Sequence, residues 1–368
     1  MSELLSKYDA WLKNDGPTAL VIREYLMPVE GTDGVLFPAT FAASEDRSFK
    51  GGYNIDQFSD GTNVCLVDSI GSQANRIEPL FKEEEYKELI PQIVVKAGEK
   101  QINILDAGHR AGDAIVRCSA LQEKLQDAFK YVLKGNAEPM AKIAPTSLVF
   151  GVWDSRDTQA KLPRLIASTI RAFNVNKLTR SAQFNPATEY VNDKLLDEPL
   201  EKTTKDAYAE RGFVHVPASG SHGGVIATGG IRRDATFGLS ALRLITAGTD
   251  TQKTLALRRY ILGLALTAFT HTPSGYLRQG CLLVLDPNKP REFVELYPTG
   301  ESKPATVTHQ DSLKFAVAAA AAFGVGSSMT VEFEQERAKK DVTGEGDTKT
   351  KKKKGKDIAA TPGVTESV

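Results

Sequence analysis

Residues 64–81, VCLVDSIGSQANRIEPLF, constrain the fold of this chain more than any other stretch. They read as a buried strand, a sharp turn and a helix. Ile70, Ala74, Ile77 and Phe81 recur at i, i+4, i+7 and i+11, which puts them on one core-facing stripe. The other face carries Ser72, Gln73, Asn75 and Arg76, none of them acidic and all able to donate hydrogen bonds. Asp68 or Ser69 is placed to cap the helix. A helix that opens with free N–H groups and no acid in its first turn favours an anion. Such a unit suits a nucleic-acid backbone better than a metal or a carbonyl substrate.

Strand and helix signals alternate around this unit without a regular rhythm. Helical spacing is read at 2–13 (Leu4, Leu5, Tyr8 and Leu12 on one face) and within 111–133, where Leu121, Leu125, Ala128, Phe129 and Val132 point one way. It is read again at 162–173 (starting at Pro163), at the apolar 255–269 and at the Ala-rich 313–323. Strands are expected at 18–28, at 102–105, at 146–152 as a central strand, and at 213–216 and 225–228 around a flexible ASGSHGG segment. Three more are expected at 281–285 and 293–296, as neighbours across a DPNKP turn, and at 329–333. Residues 186–210 are charged and weakly periodic, an exposed insertion. The irregular order argues for an α+β fold with long insertions over a doubly wound sheet. One domain is assigned to 1–335, with 336–368 a charged tail expected to be disordered, including the lysines at 351–354.

Hydrophobic residues make up 41% of the 368 and charged residues 25%, as in soluble globular proteins, and no apolar run approaches a membrane span. The first residues lack the pattern of a secretory signal. Cys65, Cys118 and Cys281 are far apart in apolar or helical surroundings, which points to reduced core thiols and a cytoplasmic location. No metal-ligand spacing or cofactor motif is present, so neither group is expected. The 46 basic and 46 acidic side chains cancel, unlike in a nucleic-acid coat protein, yet they are unevenly spread. Residues 155–185 hold six Lys or Arg and one acid, and residues 220–246 three Arg and one Asp.

The basic segments supply the binding candidates. Read as a helix, LPRLIASTIRAF carries Lys161, Arg164, Ser168 and Arg171 opposite Ile166, Ile170 and Phe173. Such a stripe can track phosphates, or it can be a solvated helix face. Lys177 and Arg180 extend it. In GGVIATGGIRRDATFGL four glycines sit near Arg232 and Arg233, letting a backbone approach a ligand closely. The segment is neither a Walker loop nor GxGxxG, and a Gly-rich hairpin with surface arginines is the plainer alternative. In DAGHRAGD, His109 reads as part of a turn held by Asp106 and Asp113, while Arg110 is free to meet RNA or a neighbouring subunit. His222 lies in a Gly/Ser loop. Tyr53 and Phe58 could stack on bases or anchor the core. Asp33 and Asp56 read as ordinary turn aspartates.

Four of these stretches together carry a resemblance. DSIGSQANRIEP, DAGHRAGDAI at 106–115, GVWDSRDTQAKLPRLIASTIRAFNVNKLTRSAQF at 151–184 and GGVIATGGIRRDATFGLSALR at 223–243 stand in the order seen in the backbone subunit of type I-U (I-G) CRISPR effector complexes. The chain thus resembles the Csb-one family, a Cas-seven-like branch of the RAMP superfamily. The resemblance implies an RNA-recognition-motif-like (ferredoxin-like) core with palm, finger and thumb elements. It implies a non-catalytic subunit that polymerises head to tail along guide RNA and presents its bases to target DNA. The implied partners are further copies of the chain, a large subunit, a Cas-five/Cas-six-type subunit and a recruited helicase-nuclease. Two other readings stand beside it: a metal-independent RAMP-type endonuclease using His109 or His222, and a protein whose basic segment docks an acidic partner.

Overall fold

The computed structural model describes residues 2–46 and 48–343. Its main sheet is built from strands that alternate faces. In β1 (Ala19–Pro28) Leu20 and Ile22 are buried while Arg23 and Tyr25 point the other way. β2 (Asn63–Asp68) leads directly into α1 (Ile70–Ile77), the strand–turn–helix read from the sequence. α2 (Gln122–Leu133) buries Leu125, Ala128 and Phe129. β3 (Ile166–Phe173) follows, then a long hairpin of β4 (Val175–Phe184) and β5 (Val216–Ala227), then β6 (Ile231–Gly238). α3 (Thr251–Thr270) returns the chain to β7 (Cys281–Leu285) and β8 (Glu292–Leu296), and α4 (His309–Phe323) closes the helical layer.

β6 pairs with both β1 and β3, and β7 and β8 pair with the other side of β1, all antiparallel. The core order is therefore β7/β8–β1–β6–β3, with helices between β1 and β3 and between β6 and β7. That is the ferredoxin-like βαββαβ arrangement within an α+β fold. β2 adds an antiparallel strand outside β3. One sheet face is covered by helices and carries the apolar residues Leu20, Ile22, Ile166, Ala235 and Phe237 of the principal core. α3 and α4 cross closely: a Cβ on Gly263 would lie 2.8 Å from the Ala316 Cα. This contact explains the alanines of α4, of which Ala316, Ala319 and Ala320 are buried.

Several elements differ from the sequence reading. Residues 162–173 form no helix; Ile166–Phe173 is the central strand β3. Its Ile, Ser and Thr side chains pack on a pleated surface, and pairing on both edges outweighs the helical spacing of its apolar residues. Conversely, the expected central strand at 146–152 is a buried helical turn, Thr146–Phe150, ended at Gly151 with φ 76°. The ASGSHGG segment is not a break between two strands but the middle of β5. β7 and β8 are not paired to each other; they lie end to end along β1, at Leu26–Pro28 and Ala19–Arg23 of that strand. The insertion after β4 is exposed as expected, but it contains a helix, Lys202–Glu210, with no buried residue. The tail begins later than residue 336, because Gln335–Thr343 is helical and tied down by Arg117–Asp341 at 2.6 Å. The rest of the expected tail, with its lysines, lies outside the described residues. Met329–Glu332 pairs in parallel with Ile93–Ala97, a strand the sequence reading missed.

Candidate nucleic-acid interface

The turn after β2 is organised by Asp68. A register shift opposite the Ile170–Arg171 step of β3 places Asp68 beside Ile170, on the helix-covered face, where it is 2% exposed. Its carboxyl group accepts from Ser72 Oγ at 2.8 Å, Gln73 Nε2 at 2.6 Å, Arg76 Nε at 3.2 Å and Arg278 Nη2 at 3.0 Å. Ser69, not Asp68, is the helix cap, accepting from Ser72 N. Most of the donors expected to meet an external anion thus serve an acid of the chain itself. Gln73 is buried, and its Oε1 accepts from Ser168 Oγ at 2.9 Å. Gln73 and Ser168 join α1 to β3 and do not belong to the exposed surface; Ser72 and Arg76 are shared between Asp68 and solvent.

Arg110 is also inside. Its guanidinium lies 2.5 Å from Glu78 Oε2, donates to Gly151 O at 3.2 Å and reaches Asn75 Oδ1 at 3.3 Å. Burial pushes the Glu78 carboxyl up, against the opposing pull of Arg110. The backbone at Arg110 has φ 53°, an uncommon conformation for a side chain of this size, held by these contacts. The expectation that Arg110 meets RNA directly gives way to a structural role: it locks the 106–115 turn to α1 and to Gly151.

These locks bring three remote segments to one surface. Asn75 is exposed on α1, and a Cβ on Gly108 would fall 3.5 Å from its Nδ2. Arg164 donates from Nε to Phe150 O at 3.0 Å, and its Nη2 lies 3.9 Å from where a Gly71 Cβ would stand, beside the first turn of α1. Gly151 is required there, since a Cβ would sit 2.7 Å from Arg164 Cγ. Among the described residues Arg164 has no carboxylate partner. Burial, then the charge of Arg110, pulls its pKa down from the ordinary arginine value. An arginine beside another cation, without an acid and next to a helix start, is placed to accept an anion from outside. Lys161 lies on the adjoining hairpin, its Nζ 5.9 Å from the ring of Trp153, an exposed residue the sequence reading passed over. An indole in the polar run VWDSRDTQAK was the available signal.

The other candidates lie elsewhere. Because β3 is a strand, Ser168 and Arg171 point to opposite faces, and the four-residue basic stripe does not exist. Arg171 is in register with Arg232 on the open face of the sheet. Arg171 donates to Thr169 Oγ1 at 2.7 Å; Arg232 pairs with Asp234 at 2.9 Å and lies over the Phe173 ring. Arg233 points to the opposite face, buried against Glu24 at 2.5 Å, so the two adjacent arginines do not act together. Arg233, Gln73, Arg76, His271 and Tyr276 line a cleft of about 620 Å³. Arg180 and Lys177 are exposed on β4. His109 is solvent-facing, 3.6 Å from Asp113, while His222 packs on Tyr53. Tyr53 is buried, its hydroxyl accepting from Gly224 N at 3.0 Å, which gives it an anchoring role. Among the described residues no cluster of His, Cys, Asp or Glu is placed to hold a metal, and no helix is long and apolar enough to cross a membrane. Cys65, Cys118 and Cys281 are buried and free.

Residues 20–177 match the family model described as CRISPR-associated protein GSU0053 (Cas_GSU0053). Over that stretch, which is less than half of the 368 residues, the chain is similar to a CRISPR-associated protein. The matched stretch contains Asp68, Asn75, Arg110 and Arg164, and stops before Arg180, Arg232 and Arg233. No curated protein matches the chain.

Proposed function

We propose that this chain is a non-catalytic backbone subunit of a type I CRISPR effector complex, of the Cas-seven-like Csb-one kind, binding guide RNA without regard to sequence. The observation that carries this reading is the meeting of α1, the 106–115 turn and Arg164 at one exposed surface, within the stretch that matches a CRISPR-associated family. One phosphate is accommodated between the Arg164 guanidinium and the first turn of α1, with Asn75 beside it; Lys161 reaches a neighbouring phosphate. Arg171 and Arg232 on the open sheet face, and Lys177 and Arg180 on the β4–β5 hairpin, are secondary contacts. Copies stack head to tail, an arrangement that leaves a free end for the next subunit. The guide bases then face target DNA, and the large subunit, the Cas-five/Cas-six-type subunit and the helicase-nuclease complete the assembly in the cytoplasm.

The test is RNA binding at several salt concentrations. Affinity falls steeply with salt, and Arg164→Ala weakens it for every sequence while lowering the salt slope by about one. Wild-type affinity indifferent to salt, or unaltered binding by Arg164→Ala, would reject the phosphate site. Copurification with partner subunits and a repeat–spacer transcript, followed by sizing and sequencing of bound RNA, checks assembly. Intact guide processing in a His109→Ala/His222→Ala variant separates the proposal from an endonuclease.

A further inference from the structure

Val152–Trp153 and Lys161–Leu162 form a small hairpin, with Val152 opposite Leu162 and Trp153 opposite Lys161. Val152 and Leu162 turn into the core; Trp153 and Lys161 turn to solvent, leaving the indole residue 58% exposed. The loop between them is tightly held. The buried Asp154 carboxylate accepts from Asp157 N at 3.3 Å, Thr158 N at 2.8 Å and Thr158 Oγ1 at 2.6 Å, and Asp154 N donates to Ala160 O. A large apolar ring is therefore displayed in solvent on a fixed support, so that receiving a flat ligand orders little. The hairpin abuts the 110–112 turn: a Cβ on Gly112 would lie 3.2 Å from Trp153 O. The exposed charges from 153 to 164 are Arg156, Lys161 and Arg164, all cations, while Asp154 is buried and Asp157 half-buried.

A planar aromatic rimmed by cations is the combination by which single-stranded nucleic acid is held, phosphates on the cations and a base on the ring. We infer that Trp153 is the stacking platform for one nucleobase of a bound single-stranded RNA. The inference rests on the proposed function above and adds the base contact that the phosphate site lacks. A protein surface docked here would have to match three cations with acids of its own, whereas RNA brings phosphates with every base.

The chain has two tryptophans, and the other, Trp11, is buried and stacked on Tyr8 at 4.7 Å. Both indoles emit, but only Trp153 is open to contact with a bound base, so a change of emission on RNA binding reports on Trp153. Titration with an end-labelled oligouridine, read by anisotropy and by tryptophan emission together, is expected to show quenching in step with binding. Trp11→Phe keeps the quench and Trp153→Phe abolishes it. Trp153→Ala binds on the order of ten-fold more weakly; circular dichroism checks its fold, and if it unfolds the Trp153→Phe quench carries the test. Saturating anisotropy with unchanged emission would overturn the stacking role and leave the phosphate site standing. No anisotropy change in the wild type would reject the RNA reading and this inference with it. If Trp153→Ala instead altered self-association of the RNA-free protein in sedimentation, the indole would belong to a protein contact and the inference would fall.

Discussion

Arg110 and Arg164 lie close enough for the charge of one to depress the pKa of the other, yet they do different work. Arg110 is enclosed with Glu78, so removing it strands a buried carboxyl. Arg110→Ala is expected to cost about 3–5 kcal/mol in urea unfolding, and Glu78→Met combined with Arg110→Met to recover most of that loss. Arg164 is exposed and held by one backbone carbonyl. Its alanine variant is expected to lose about 1 kcal/mol or less, with the larger effect on RNA affinity. Equal destabilisation of the two variants would contradict this division. Ser168→Ala deprives the buried Gln73 Oε1 of its donor and is expected to cost about 1–3 kcal/mol. Sequence alone could not separate these arginines: Arg110, among small and polar residues, is the buried one, and Arg164, flanked by Leu162, Pro163 and Leu165, is the exposed one.

At the scale of elements, pairing and packing override local preference. The 162–173 segment has helical spacing of apolar residues, but β2 and β6 offer it hydrogen bonds on both edges, and it becomes a strand. Its arginines and serine were identified; the geometry that was to unite them was not, because a strand sends Ser168 inward and Arg171 outward. The same competition governs Gly263 in α3. Alanine has the better helix propensity by about 1 kcal/mol, but its Cβ would press on the Ala316 backbone at 2.8 Å. Gly263→Ala is therefore expected to destabilise by a net amount on the order of 1 kcal/mol, the overpacking cost of about 1–3 kcal/mol exceeding the propensity gain. A higher melting temperature for this variant would show that the helices can part more easily than their contact implies.

For the whole molecule, His271 links the two last long helices. It follows the end of α3, its ring 5.5 Å from His309 at the start of α4 and near Tyr86, with Glu83, Glu85 and Arg233 also acting on it. Burial, then electrostatic repulsion from the neighbouring His309 ring, lowers its pKa below the ordinary value. The unfolded chain therefore takes up this proton first. The contribution to stability is complete above about pH 6.5 and is lost as pH falls through the lower folded value. From pH 8 to 5 the melting temperature of His271→Gln is expected to fall less, or rise more, than that of the wild type, because protonation of Glu78, whose carboxyl burial pushes up to about 7, stabilises both alike. Replacing residues 186–214 with a short turn is expected to leave the melting temperature within a few degrees, because the helix there buries nothing. A collapse of the fold would contradict the description of that region as an excursion from the core.

The composition, the irregular order of elements and the 64–81 unit were sufficient for an α+β chain with an exposed insertion and a strand–turn–helix. Periodicity and charge are local properties, and they survive without knowledge of neighbours. The strand order, the inward turn of Gln73, Ser168, Arg110 and Arg233, and the meeting of α1, the 106–115 turn and Arg164 were decided by tertiary structure alone. Whether a polar side chain faces an internal acid such as Asp68 or the solvent depends on which remote segment packs against it, and the spacing of residues along one strand or helix carries no record of that partner.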